Sequence, residues 1–222
     1  MKPLPVAFVA LISACALAQP ATSPAYFLEQ QTFRVTHQAV DGDIETPLTM
    51  TREYHSSTGD LRNESFSIRP NTVPPDFHLD TVHISPHGGK SYDLDPDKHT
   101  AMDLLAELNE QYRKWLNEVV VGSFLQPTET TEDLGDRTIF GVSVKGTRTT
   151  NRYHAERQAG HATVDAYDIV TESWRSQDPP IEMESRRIDP HDGEVVKKTT
   201  KFARGEPDPQ LFRIPSGYRV IE

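Results

Sequence analysis

Two periodicities run along this chain. Most of it reads as short runs rich in β-branched, aromatic and polar residues, cut by clusters of Gly, Pro, Asn and Asp, the pattern of strands and turns. Phe33–Val40 meets Asp41-Gly42, a hairpin signal. Leu48–His55, Leu61–Arg69, Thr81–Ser85 and Lys90–Asp95 follow, with turn clusters between them. Strands are expected again at Thr128–Leu134, a turn at Gly135-Asp136, then a run from Arg137 to Thr150. Asn151–Asp168 is expected to be a loop or frayed hairpin. Ile169–Ser176, Ile181–Ile188, Glu194–Ala203 and a short last strand complete the series.

One window departs from this. Between Ala101 and Val121, apolar residues fall at Ala101, Leu104, Leu105, Leu108, Tyr112, Trp115, Leu116 and Val119. Spacings of three and four predict an amphipathic helix, with Thr100 as cap and Gly122 as stop. The strands carry a defect that gives this helix a task. On Ile181–Ile188 one face offers Ile181, Met183, Ser185 and Arg187, and the other Glu182, Glu184, Arg186 and Ile188. Burying both faces would desolvate charge. The expected fold class is therefore α+β, mainly antiparallel β, with one sheet face exposed and the other covered by the helix. Leu104, Leu108, Tyr112, Trp115 and Val119 are the candidate ligand-binding residues. Plain core packing and a lid over an apolar hollow are both open readings of that stripe.

The first 18 residues, MKPLPVAFVALISACALA, contain 14 apolar residues after a positive start. They have the parts of a secretory signal, with Ala16-Leu17-Ala18 as a cleavage site. Ile12-Ser13-Ala14-Cys15 offers a rival cut in which Cys15 becomes a lipidated N-terminus. The expected organisation is thus a signal at 1–18 and a single domain at 19–222, periplasmic or secreted, or tethered to the outer membrane through Cys15. No later window approaches the 20 or so apolar residues of a membrane span.

Composition narrows the chemistry. The chain has 23 Lys+Arg against 33 Asp+Glu, a net charge of −10 and one cysteine. That balance argues against nucleic acid, which rewards clustered cations. With Cys15 in the export segment, no thiol remains for a disulfide, a thiolate zinc site or a nucleophile. Gly89-Lys90-Ser91 ends like a phosphate-binding loop, but Ile84 stands where the first glycine belongs. Gly141-Val142-Ser143-Val144-Lys145 lacks the second glycine of a nucleophile elbow. His78, Asp80, His83 and His87 could ligate zinc by type, as could His154, Glu156 and His161, yet nothing makes either set converge. Asn63-Glu64-Ser65 matches a glycosylation acceptor by chance frequency. No catalytic residue, metal site or cofactor is assigned.

The order of elements, and the ending Asp208-Pro209-Gln210-Leu211-Phe212-Arg213-Ile214-Pro215-Ser216-Gly217-Tyr218, resembles the periplasmic lipoprotein-carrier (LolA-like) superfamily. Tyr54 to Glu64, Gly146 to Thr150 and Arg204 to Pro209 are similar to an uncharacterised set of secreted proteins of Acidobacteria type. The resemblance implies a curved, incomplete antiparallel β-barrel with helical cover. It also implies a non-enzymatic binding protein for a lipid, acyl chain or lipidated client. An envelope interaction or sensor domain without a cavity is the alternative, and a metal-dependent hydrolase a more distant one.

Overall fold

The computed structural model describes residues 24–38, 42–69, 75–103, 127–154 and 165–221. These form one sheet of twelve strands in the order β12-β6-β5-β4-β3-β2-β1-β11-β10-β9-β8-β7. One meander runs outward from the centre: β1 (Tyr26–Thr36), β2 (Ile44–His55), β3 (Leu61–Ile68), β4 (Phe77–Ser85), β5 (Tyr92–Asp95) and β6 (Thr100–Asp103). A second runs inward from the opposite edge: β7 (Thr128–Ile139), β8 (Val142–Tyr153), β9 (Tyr167–Ser176), β10 (Glu182–Asp189) and β11 (Gly193–Arg204). Antiparallel pairing of β1 with β11 joins the halves. The chain then crosses from the sheet centre to the far edge, where β12 (Arg219–Ile221) pairs parallel with β6.

The expectation of a half-barrel covered by one long amphipathic helix is corrected. The sheet is open, and the described residues include only a one-turn 3-10 helix, Pro209–Phe212. Where the helix was expected to begin, Thr100–Asp103 is strand. Ala101 opens the stripe at helical spacing, but it lies opposite Leu94 on one side and Val220 on the other. Two neighbouring strands satisfy its backbone, and such pairing overrides local spacing. Leu104, Leu108, Tyr112, Trp115 and Val119 lie outside the described residues, as does Cys15.

A second difference falls at Gly135. The expected turn there is a bulge: β7 runs on to Ile139, and register shifts between Asp133 and Gly135. Gly135 takes φ +82° and its N–H donates to the Asp133 carboxylate at 2.8 Å, the special conformation a bulge requires. The turn lies instead at Phe140-Gly141, with φ of 50° and 76°. Two successive positive φ values match the twist of a two-residue hairpin. Phenylalanine is a rare occupant of that conformation, which is why the sequence pattern points elsewhere.

Two apolar clusters anchor the sheet. One gathers Tyr26, Leu28, Val142, Val144, Ile181 and Met183. The other gathers Val82, Ile84, Leu94, Ala101 and Phe212, flanked by Ile214 and Tyr218 from the crossing segment. The family-like ending thus has a mechanical meaning. Asp208 caps the 3-10 turn by accepting from the Gln210 N–H at 2.9 Å, which sets Phe212 into the sheet. Arg62 fastens the same segment by donating to the Leu211 carbonyl at 2.9 Å. Among the described residues this C-terminal crossing covers the sheet where a helix was expected to.

Candidate functional site: a mixed-charge groove

Register places three cross-strand rows on one face of the second meander. Val196, Arg186, Glu172, Arg148 and Glu132 form one row. Lys198, Glu184, Trp174, Gly146 and Gly135 form the next, and Glu194, Ile188, Val170, Thr150 and Thr130 the third. The alternation that looked defective on Ile181–Ile188 is thereby explained. Its Glu184–Arg186–Ile188 face meets charges of opposite sign on β9 and β11, so the row pairs charge with charge. Arg148 is the hub of the outer part. Its Nη2 lies 2.7 Å from Glu172 and its Nη1 2.9 Å from Glu132.

Toward β1 this face sinks into a groove of about 450 Å³. Asp43, Glu45, Glu172, Glu184 and Glu194 supply five carboxylates, Arg137, Arg186 and Lys198 three cations, and Val35, Val196 and Trp174 the apolar floor. Trp174 lies flat on Gly146, so close that a Cβ there would stand 2.5 Å from the ring. The Arg137 guanidinium stacks on the ring, its carbon 3.8 Å from a ring centroid. A guanidinium so placed is held by the ring's electron-rich face. Arg137 Nη2 is 2.8 Å from Glu184 Oε2, a charge contact without hydrogen-bond alignment, and its Nε has no hydrogen-bond partner. Nε and Nη2 are thus the two buried side-chain donors of the groove that lack a hydrogen-bond partner.

The opposite wall is fully paired. Arg186 grips Glu194 with both arms, Nε to Oε1 at 2.8 Å and Nη2 to Oε2 at 2.9 Å. His37 bridges Glu194 at 3.0 Å and Asp43 at 2.7 Å, tying β1 to β11 and to the start of β2. Arg186 and then His37 hold the buried Glu194 below the usual glutamate range. Asp43 and Glu194 in turn raise the pKa of His37. Lys198 donates to Glu45.

A separate ion row on β1–β3 serves the fold. Glu29 is 3% exposed and receives Arg52 Nε at 2.8 Å, Thr200 Oγ1 at 2.9 Å and Lys201 Nζ at 3.3 Å. Burial pushes its pKa up, and these three donors overrule it and bring the net value below the ordinary one. Arg52 also lies 3.9 Å from Glu64 and 4.9 Å over the Phe66 ring.

The histidine cluster weighed as a zinc set disperses. His78 contacts Asp97 at 3.1 Å and Arg69 at 2.9 Å, and His83 contacts Asp93 at 2.8 Å. Asp80 accepts from Ser67, and the His87 ring lies beside Gly59. His154 pairs with Thr128, while Glu156 and His161 lie outside the described residues. The residues that do come together, Arg137, Trp174, Arg186 and Glu194, were not singled out by sequence. Gly146 was the available signal, since a glycine inside a strand marks the close approach of another group.

No family model matches the chain, and no curated protein does. Among solved structures it is similar to MucB in complex with MucA(peri), at 10% identity and a TM-score of 0.47, over 90% of this chain and 57% of that one. LprF from Mycobacterium bovis is similar at 11% identity and a TM-score of 0.32, over 85% and 90%. A putative outer membrane lipoprotein-sorting protein domain from Vibrio parahaemolyticus is similar at 8% identity and a TM-score of 0.26, over 85% and 89%. Lipoprotein-sorting folds are thus among the neighbours at low identity, while nothing supports the Acidobacteria-type set. At such low identity and TM-score none of these likenesses transfers a residue role.

Proposed function

We propose that the chain is an extracytoplasmic, non-enzymatic binding protein whose mixed-charge groove receives a polar protein segment. The single observation that carries this is the lining: five carboxylates and two further cations, Arg186 and Lys198, surround an Arg137–Trp174 stack that still holds unsatisfied donors. Groups of both signs at fixed positions select a partner by complementary charge and penalise mismatched ones. The stack adds an aromatic surface of the kind that anchors interfaces. The export-type residues 1–18 support the extracytoplasmic location.

A lipid, acyl chain or lipidated client is the other reading, motivated by the carrier resemblance. Among the described residues the geometry favours it less. Eleven of their sixteen buried hydrophobic residues are packed into two clusters, where Ile84, Leu94, Ala101 and Met183 are at most 1% exposed. An acyl site needs a mostly apolar concavity, and this groove is mostly charged.

The test is calorimetry with extended ten-residue peptides carrying equal numbers of lysine and glutamate, beside uptake of a fluorescent fatty acid. Binding of mixed-charge peptide that weakens about tenfold in Trp174→Leu, a loss of about 1.4 kcal/mol, supports the proposal. Stoichiometric fatty-acid uptake with no peptide binding overturns it.

A further inference from the structure

We propose that the outer edge of β7 is a docking strand for a basic, extended protein segment, which adds to the sheet as a thirteenth strand. This deepens the protein-binding reading and uses a surface apart from the groove floor. β7 is the terminal strand of the sheet order, and among the described residues no strand lies on its outer side. Thr128 to Asp133 pairs with β8 in unbroken register, Thr128 opposite Arg152 through Asp133 opposite Thr147. All six of these residues are exposed. Antiparallel pairing uses the backbone groups of alternate residues only, so half of those six present N–H and C=O outward. Six residues span about 20 Å, the length of an ordinary strand.

Charge selects the occupant. β7 carries Glu129, Glu132, Asp133 and Asp136 against one cation, Arg137. Glu129 has no ion pair among the described residues, and Glu132 gives only Oε2 to Arg148. The cross-strand row Arg186, Glu172, Arg148, Glu132 alternates in sign and stops on an acid, so the next position in that row calls for a cation. Like charges directly opposite are destabilising, which disfavours a second copy of β7 as partner. The other edge, β12, offers three residues and cannot accept a strand of this length. The bulge at Asp133/Gly135 ends the regular run, which limits pairing to a short segment. Strand addition of this kind takes affinity from main-chain bonds and selectivity from alternate side chains.

The experiment measures anisotropy of a labelled eight-residue peptide alternating lysine and threonine, with purified full chain. The expected result is saturable binding, about tenfold or more weaker for the glutamate counterpart, and slowed amide exchange at 128–133. Glu129→Lys with Glu132→Lys reverses the peptide preference. Thr130→Pro and Thr131→Pro are tested as a pair, because one of them removes an outward N–H and the other damages the ladder to β8. Circular dichroism tells which variant keeps the fold, and that one loses about tenfold in affinity. Equal affinity for both peptides, or unchanged affinity in both proline variants, overturns the proposal. If Trp174→Leu abolishes binding while the proline variants do not, the peptide sits in the groove, which rejects the edge and leaves the groove reading standing. Concentration-dependent dimers that form without peptide and disappear in the proline variants also overturn it, because the edge partner is then a second copy.

Discussion

Gly146→Ala measures how tightly the Arg137–Trp174 stack is held. A Cβ at Gly146 would stand 2.5, 2.6 and 2.7 Å from Cζ3, Cη2 and Cε3 of Trp174. Carbon atoms settle at about 3.5–4.0 Å, so the ring must retreat by about 1 Å. It cannot retreat freely, because Arg137 lies 3.8 Å from it on the groove side. Overpacking of this kind costs about 1–3 kcal/mol. The substitution also removes glycine's unfolded-state freedom, a gain of about 0.4–1 kcal/mol where the backbone is compatible. Gly146 does not occupy the left-handed region, so that gain is available. The clash wins, and the expected net loss is about 1–2 kcal/mol, or about 2–8 °C in Tm for a chain of this size. The assay is thermal and urea unfolding followed by circular dichroism, repeated in a Trp174→Ala background. With the ring gone, Gly146→Ala becomes neutral or stabilising. An equal loss in both backgrounds, or none in the native one, refutes the reasoning.

Arg52→Met keeps the stem over Phe66 and leaves buried Glu29 with fewer donors, so urea unfolding at neutral pH should show a loss of about 1–3 kcal/mol. That deficit should shrink as acid protonates Glu29, and a variant as stable as the parent at neutral pH would show that Thr200 and Lys201 suffice. Glu194 has its pKa lowered in the fold, so its contribution is fully present above the ordinary 4.5 and fades as pH falls through the folded value. Glu194→Gln should flatten the acid limb of a stability-versus-pH curve, and an unchanged limb would assign acid sensitivity elsewhere. Phe212→Ala removes the aromatic group that seats the C-terminal crossing and should cost about 3–5 kcal/mol, read by urea unfolding, with early amide exchange in β12. Uniform exchange across the sheet would show that the crossing does not open on its own.

Much of the strand order was legible because turn chemistry is local. The β2–β3 and β4–β5 hairpins follow from Ser57-Thr58-Gly59-Asp60 and Pro86-His87-Gly88-Gly89, and their strands form where expected within a few residues. Gly135 and Phe140 misled for a local reason too, since a glycine with positive φ serves a bulge as well as a turn. The site was less legible. Arg186, Glu172 and Arg148 carry no local signal of a site, because the pairing that makes them a row spans three strands.

By itself, the sequence determined an acidic, strand-rich chain whose only cysteine lies in an apolar stretch of the first 18 residues, with strands too polar to be buried on both faces. It also contained the C-terminal motif, whose aspartate cap and phenylalanine act over five residues. Tertiary structure decided what those residues do together. It made Thr100–Asp103 a strand, because β5 and β12 offered hydrogen bonds on both sides. It stacked Arg137 on Trp174 beside Gly146 and made β7 the terminal strand of the sheet among the described residues. The physical reason is range: capping and turn preferences are settled within a few residues of chain. Sheet order, register and charge rows depend on which distant strands meet, and no window of the sequence contains that information.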